Sequence, residues 1–284
     1  MKDKKAKHFS NPHLVADTKS KGFCIMKDKK AQITIFVILG ILLIGTIIFF
    51  ILFRQGENIT IGGKSESNIK GVFESCMEEN VKETIQILMK QGGYLENTLN
   101  ISFKFKKSKE IQNISYLCYT TKEYLSCINQ EPMLMNHLTE EIKNNISKQV
   151  KICFDEIVKN IGNKEEAVEA NYNGFNVEIV PRKIIVNVDG EITSTKSGQT
   201  TTQRNITGMF QSRLYEIATV VQEITNQEAT YCNFDLLGFM MFYPEFEIDK
   251  ALTRNSTSIY TVKHNKGIEE FNFAVRSCSF PPGF

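Results

Sequence analysis

The 284-residue chain is 42% hydrophobic and 10% aromatic with a net charge of +2, the composition of a globular protein rather than a disordered one. The charge is uneven: residues 1–31 hold nine Lys and three Asp, so they carry +6 and the remainder carries −4. A weakly acidic body lacks the electrostatic footprint of a nucleic-acid binder, and no nucleic-acid partner is expected.

The basic leader, residues 1–31, contains a repeat: Met1-Lys-Asp-Lys-Lys-Ala6 recurs as Met26-Lys-Asp-Lys-Lys-Ala31. Met26 is therefore a candidate start. Residues 32–53 follow as a membrane segment. From Ile33 to Phe53 there are 21 residues without a charge, enough at 1.5 Å rise per residue to span a hydrocarbon core of about 30 Å. A buried core helix of this length would carry a polar face, and this run has none. Gly40 and Gly45 are five apart and form no GxxxG contact face. Lys27, Lys29 and Lys30 abut one end and only Arg54 the other. The positive side stays inside, so the N-terminus is expected in the cytoplasm and the rest outside, with membrane lipid the partner of residues 33–53.

Residues 54–66 read as a Gly-containing linker, and residues 67–284 as one extracytoplasmic domain. Ile69, Val72, Phe73, Cys76, Met77, Ile85, Leu88 and Met89 fall on one helical stripe that Gly92 ends. Leu99, Ile101, Phe103 and Phe105 alternate as a strand, and Ile111–Tyr119 is a second. A helix is expected over about 138–161, with Thr139 as its cap, Glu140 and Glu141 at its positive end, and Gly162 as its stop. Phe175, Val177 and Ile179, then Ile184, Val186 and Val188, make a hairpin turning at Val180-Pro-Arg-Lys183. The polar stretch Thr193–Thr207 reads as an exposed loop or edge strand. Phe210, Leu214, Ile217, Val220, Val221 and Ile224 mark a third helix. Strands near Phe246–Leu252, Ile259–Lys263 and Glu270–Arg276 close the chain as a meander with a turn at Asn265-Lys-Gly267. Irregular alternation of helices with antiparallel strand pairs implies an α+β fold: a transmembrane helix, then about three helices and antiparallel sheet.

Cys24 lies in the leader; the other six cysteines follow the membrane segment, an even number in a compartment that permits oxidation. Zinc binding would need CxxC or Cys/His spacing, which is missing. The favoured pairs are Cys76–Cys153, joining two amphipathic stripes, Cys118–Cys127, closing a local loop, and Cys232–Cys278, tying the segment after the third helix to the last strand. Six Asn-x-Ser/Thr sequons begin at Asn58, Asn100, Asn113, Asn145, Asn205 and Asn255; Asn145, within a helix, is the least suited acceptor. No GxSxG, HExxH, Walker A or strand-bound GxGxxG occurs. Glu78/Glu79, Glu140/Glu141 and Glu165/Glu166 read as helix-surface neighbours rather than acid/base dyads. His264 belongs to a hairpin tip without a Cys or Ser partner. No catalytic, cofactor-binding or metal-binding residue is assigned, and the chain is not expected to be an enzyme.

Lys29-Lys30-Ala31-Gln32-Ile33-Thr34-Ile35-Phe36 resembles the class III signal of archaeal type IV pilin-like proteins, which implies cleavage between Ala31 and Gln32. The segment departs from the pattern at Phe36, where such signals carry Glu. The later chain resembles an uncharacterised family of archaeal membrane-anchored surface proteins through Glu74-Ser-Cys-Met77, Gln91-Gly-Gly-Tyr94, Phe273-Ala-Val-Arg-Ser-Cys278 and Pro281-Pro-Gly283. That resemblance implies no activity. A structural or binding role in the cell envelope is the leading expectation, with other envelope proteins or a second copy as partners. A pilin-like filament component and an envelope hydrolase with a dispersed site are the alternatives. Thr193–Thr207 and His264–Gly267 are the expected contact loops.

Overall fold

The computed structural model describes residues 39–46, 63–106, 110–165, 167–253 and 255–278. The chain divides into two units, Met1–Ile61 and Gly62–Phe284. In the first, residues 39–46 form helix α1; the rest of the apolar run, the basic leader and the Ala31–Gln32 junction lie outside the described residues. Among the described residues no helix is long and apolar enough to cross a membrane.

The second unit is α+β. Helix α2 (Gly63–Lys90) is 28 residues long, about 42 Å at the standard rise. It begins inside the stretch expected to be linker. It ends at Gly92 and Gly93, whose φ values of 78° and 89° suit glycine alone among common residues. Strands β1 (Asn100–Phe103), β2 (Gln112–Tyr119) and β3 (Ile128–Asn129) precede helix α3 (Leu134–Gly162). Strands β4 (Ala167–Val180), β5 (Lys183–Lys196) and β6 (Gln199–Gln211) form a three-stranded antiparallel sheet with β5 central. Helices α4 (Leu214–Tyr231) and α5 (Leu236–Phe242) lead into β7 (Phe246–Leu252), β8 (Ser258–His264) and β9 (Glu270–Arg276). These join a six-stranded sheet in the order β1-β2-β9-β8-β7, with β3 also paired to β2.

Four local expectations are corrected. Helix α3 starts at Leu134, so Thr139 is not its cap; its hydroxyl donates to the Met135 carbonyl at 2.9 Å. Glu140 and Glu141 lie past the first turn, and Glu141 accepts instead from the Leu95 amide at 3.2 Å. Phe210 belongs to β6, whose register pairs it with Ile184. The second sheet is mixed, because β2 and β9 run parallel. That pairing follows from burial: β8 and β9 are covered on both faces, and a strand buried on both sides suits the middle of a sheet.

One face of each sheet shares a core with α2, α3 and α4, where Phe73, Met77, Leu138, Val186, Ile217, Tyr260 and Phe273 are fully buried. The opposite face of the six-stranded sheet holds Ile114, Tyr116, Ile259 and Ala274 under Leu99, Ile101, Phe103 and Phe105. Alternation along each strand sends neighbours to the two clusters. Two glycines make opposite predictions. A Cβ on Gly190 would lie 2.9 Å from both the Asn171 carbonyl and the Phe154 ring, whereas one on Gly71 in α2 meets nothing within 4 Å. Gly190→Ala is expected to destabilise by about 1–3 kcal/mol through overpacking, and Gly71→Ala to stabilise by roughly 0.5–1 kcal/mol through helix propensity. Urea midpoints of the two variants moving in the same direction would contradict this packing.

Candidate functional site

The six cysteines come together in the three favoured pairs. Cys76 on α2 bonds Cys153 on α3, with Cα atoms 5.9 Å apart. Cys118 on β2 bonds Cys127 (5.3 Å), and Cys232 bonds Cys278 just past β9 (5.6 Å). Cys232 closes α4 in the left-handed region at φ 56°, so this bridge fixes a helix end to a strand end.

The two expected contact loops have different fates. Thr193–Thr207 is strand rather than loop, and its β6 part is the edge strand that was the other expectation. It is the distal part of the β5–β6 hairpin, whose two-residue turn Ser197–Gly198 has φ values of 50° and 77°, as a primed hairpin turn requires. Thr193–Thr202 and Thr195–Thr200 face each other across the strands with hydroxyls 3.3 and 3.2 Å apart. His264 is buried as the last residue of β8, its ring 5.3 Å from that of Phe246 and its Nδ1 accepting from the Lys266 amide. Asn265, Lys266, Gly267 and Ile268 stay exposed, with Ile268 at 91%.

That turn forms one wall of an open groove of about 520 Å³ against α2, the end of β6 and the start of α4. Its floor is apolar, from Val81, Ile85 and Phe210. Lys82, Arg182, Arg213 and Lys266 reach it from four different elements. Several acidic groups there are already engaged. Glu269 accepts from the Ser212 hydroxyl at 2.8 Å and the Arg213 amide at 2.6 Å. It thereby satisfies one amide at the N-terminus of α4, where Arg213 makes no side-chain cap, while the Ser212 hydroxyl accepts from the Leu214 amide at 3.0 Å. Glu216 pairs with Arg213 at 3.3 Å, and Glu74 accepts from the Met209 amide at 2.9 Å. With Arg213 paired to Glu216 and Glu78 also on the rim, the groove offers mixed charge, with Lys82, Arg182 and Lys266 as its further cations, around a hydrophobic strip.

Two titratable clusters lie elsewhere. The Tyr94 hydroxyl donates to Glu131 at 2.5 Å. Burial, then the neighbouring Glu131 carboxylate, raises the Tyr94 pKa well above the ordinary tyrosine range. The His137 ring lies tilted against that of Tyr94 with centroids 4.3 Å apart, meets the Gly93 carbonyl through Nε2 at 2.9 Å and has Nδ1 3.7 Å from Glu131. Its Nε2 contact ties the start of α3 to the end of α2. The second cluster is deeper. Glu228 on α4 accepts from the Tyr260 hydroxyl and from Lys250 Nζ at 2.9 Å, with its side chain only 3% exposed. Burial, then the Glu228 charge, raises the Tyr260 pKa strongly. Among the described residues no group of three or more His, Cys, Asp or Glu is placed to hold a metal ion. The groove and both clusters escaped the sequence reading because their members come from distant segments with no shared motif. Comparison with protein-family models, curated proteins and solved structures finds no match to this chain.

Proposed function

We propose that this is a membrane-anchored protein of the cell envelope whose extracytoplasmic domain works by binding. The observation that carries the reading is an uncharged run from Ile33 to Phe53, with Lys27, Lys29 and Lys30 on one side and six cysteines in three disulfides on the other. The run is long enough to cross a bilayer. The lysines orient it with the N-terminus in the cytoplasm, and stable disulfides suit an oxidising exterior. On this reading lipid is the partner of residues 33–53. Other envelope proteins, or a second copy, are partners of the domain. Of the two expected contact segments, His264–Gly267 is the better supported, because its Lys266 and Gly267 line a groove that joins apolar and cationic groups in one concavity.

Protease added to intact cells is expected to remove an epitope at Phe284 and to leave one at the N-terminus intact. An epitope at Phe284 that resists protease until lysis would overturn the topology. A second reading, a filament component, is favoured by Lys29-Lys30-Ala31-Gln32 alone. It expects mature protein beginning at Gln32, and an intact leader by N-terminal mass spectrometry rejects it.

A further inference from the structure

We infer that Asn100 and Asn205 carry N-linked glycans that shield one edge of each sheet. The inference rests on the extracytoplasmic reading above, since the modification occurs only on exported chains. Five sequons lie among the described residues. Transfer to asparagine needs two groups in reach of the transferase, the acceptor amide and the hydroxyl two residues on. The fold withholds three of these sequons. Asn145 and Ser147 are exposed, but they lie inside α3, which keeps the sequon from the open shape of a loop acceptor, and one hydrogen of the Asn145 amide is held by Thr84 Oγ1 at 2.8 Å. Asn113 is exposed, but its partner Ser115 is 2% exposed. Asn255 is exposed in the β7–β8 turn, but Thr257 is fully buried, its hydroxyl 3.2 Å from that of Tyr116.

Asn100 and Asn205 differ. Asn100 opens β1, the edge strand of the six-stranded sheet, and both it and Ser102 are exposed. One amide hydrogen is held by the Asn97 carbonyl, and the other is free. Asn205 lies on β6, an edge of the three-stranded sheet, where the ladder with β5 slips between Val188 and Glu191. It is exposed at φ 53°, a bulge position that lifts its side chain out of the ladder. Thr207 is half-buried, and its hydroxyl donates to Asn187 at 2.9 Å while its oxygen remains able to accept.

The donor is a lipid-linked oligosaccharide pyrophosphate. Nδ2 of each asparagine bonds to the anomeric carbon, the lipid pyrophosphate leaves with its oxygen, and the amide loses one proton. Each product keeps one N–H. A glycan at either place blocks the row of unpaired backbone groups that an open sheet edge presents to another chain.

The test is peptide mass spectrometry of the full-length protein from its native membranes, with cysteine state read on the same digest. Peptides containing Asn100 and Asn205 are expected to carry at least one sugar unit, and the Asn145 peptide none. Both peptides at unmodified mass with the three disulfides intact would overturn the inference and leave the extracytoplasmic reading standing. Unmodified peptides with six free thiols would overturn that reading, and the inference with it. For the shielding role, Asn100→Gln combined with Asn205→Gly removes both acceptors, glycine suiting the positive φ. Cross-linked oligomers in membranes are expected to rise several-fold in this variant; an unchanged oligomer fraction would refute the shielding.

Discussion

Glu228→Ala is expected to destabilise the second unit by about 3–5 kcal/mol, the cost of breaking a buried charge pair by removing one partner. Glu228 is almost fully buried on α4, and it satisfies the Tyr260 hydroxyl and Lys250 together. Without it Tyr260, itself fully buried, keeps a hydroxyl with no acceptor. The Lys250 ammonium, 4.9 Å over the Tyr260 ring, loses its carboxylate partner. Glu228→Gln retains an acceptor and lets Lys250, whose side chain is 28% exposed, turn to water, so a smaller loss of roughly 1–2 kcal/mol is expected. Urea unfolding of the full chain in detergent gives both values. A loss below about 1 kcal/mol for the alanine variant would remove the cluster from the list of important contacts.

The same cluster sets a pH dependence. The Tyr260 pKa is raised in the folded state, chiefly by burial and then by the Glu228 charge. A raised pKa means that the fold favours the protonated phenol. The resulting stability is fully present below pH 10, the ordinary tyrosine value, and falls as the pH rises above it. Tyr94 contributes in the same direction. Tyr260→Phe should therefore lose less stability than the parent between pH 9 and 11. Parallel curves for the two proteins would mean that Tyr260 does not titrate with unfolding.

Removing Cys76 and Cys153 together is expected to be the most damaging of the three disulfide deletions. The bridge spans 77 residues, against 46 for Cys232–Cys278 and nine for Cys118–Cys127. Loop-closure entropy then gives losses of about 4.5, 4 and 2.6 kcal/mol respectively. The first bridge also joins α2 to α3 near the Asn145–Thr84 hydrogen bond at 2.8 Å, so its loss should loosen the packing that positions α2 along the groove. Double serine variants, compared by urea midpoint, test the order. Cys118/Cys127 proving the costliest pair would show that native-state strain or local packing outweighs chain entropy.

Hydrophobic period was enough to read the α2 stripe from Ile69 to Met89, apart from Val72, which stays exposed, and the Val177/Ile179 and Ile184/Val186 hairpin, because their burial is one-sided. The three C-terminal strands also lie where they were expected, although β8 and β9 are buried on both faces. The cysteine pairing was legible for the same reason: Cys76 and Cys153 stand on helical stripes that must face each other. Periodicity failed at element ends. Phe210 fits the α4 stripe as well as the β6 alternation, and only pairing with Ile184 decides between them. Helix α5 was missed because Leu236–Phe242 is only about two turns long and buries no residue.

What the amino-acid sequence determined by itself was local: which stretches are apolar, with what period, and where glycine must break them. Those properties depend on neighbours within about one or two turns of chain. The parallel pairing of β2 with β9, the capping of α4 by Glu269, the inward turn of His264 and the Glu228–Tyr260–Lys250 cluster were decided only by tertiary structure. Each satisfies a buried polar group, or a strand covered on both faces, with a partner from a different segment. The need for such a partner arises only once burial removes water as the alternative.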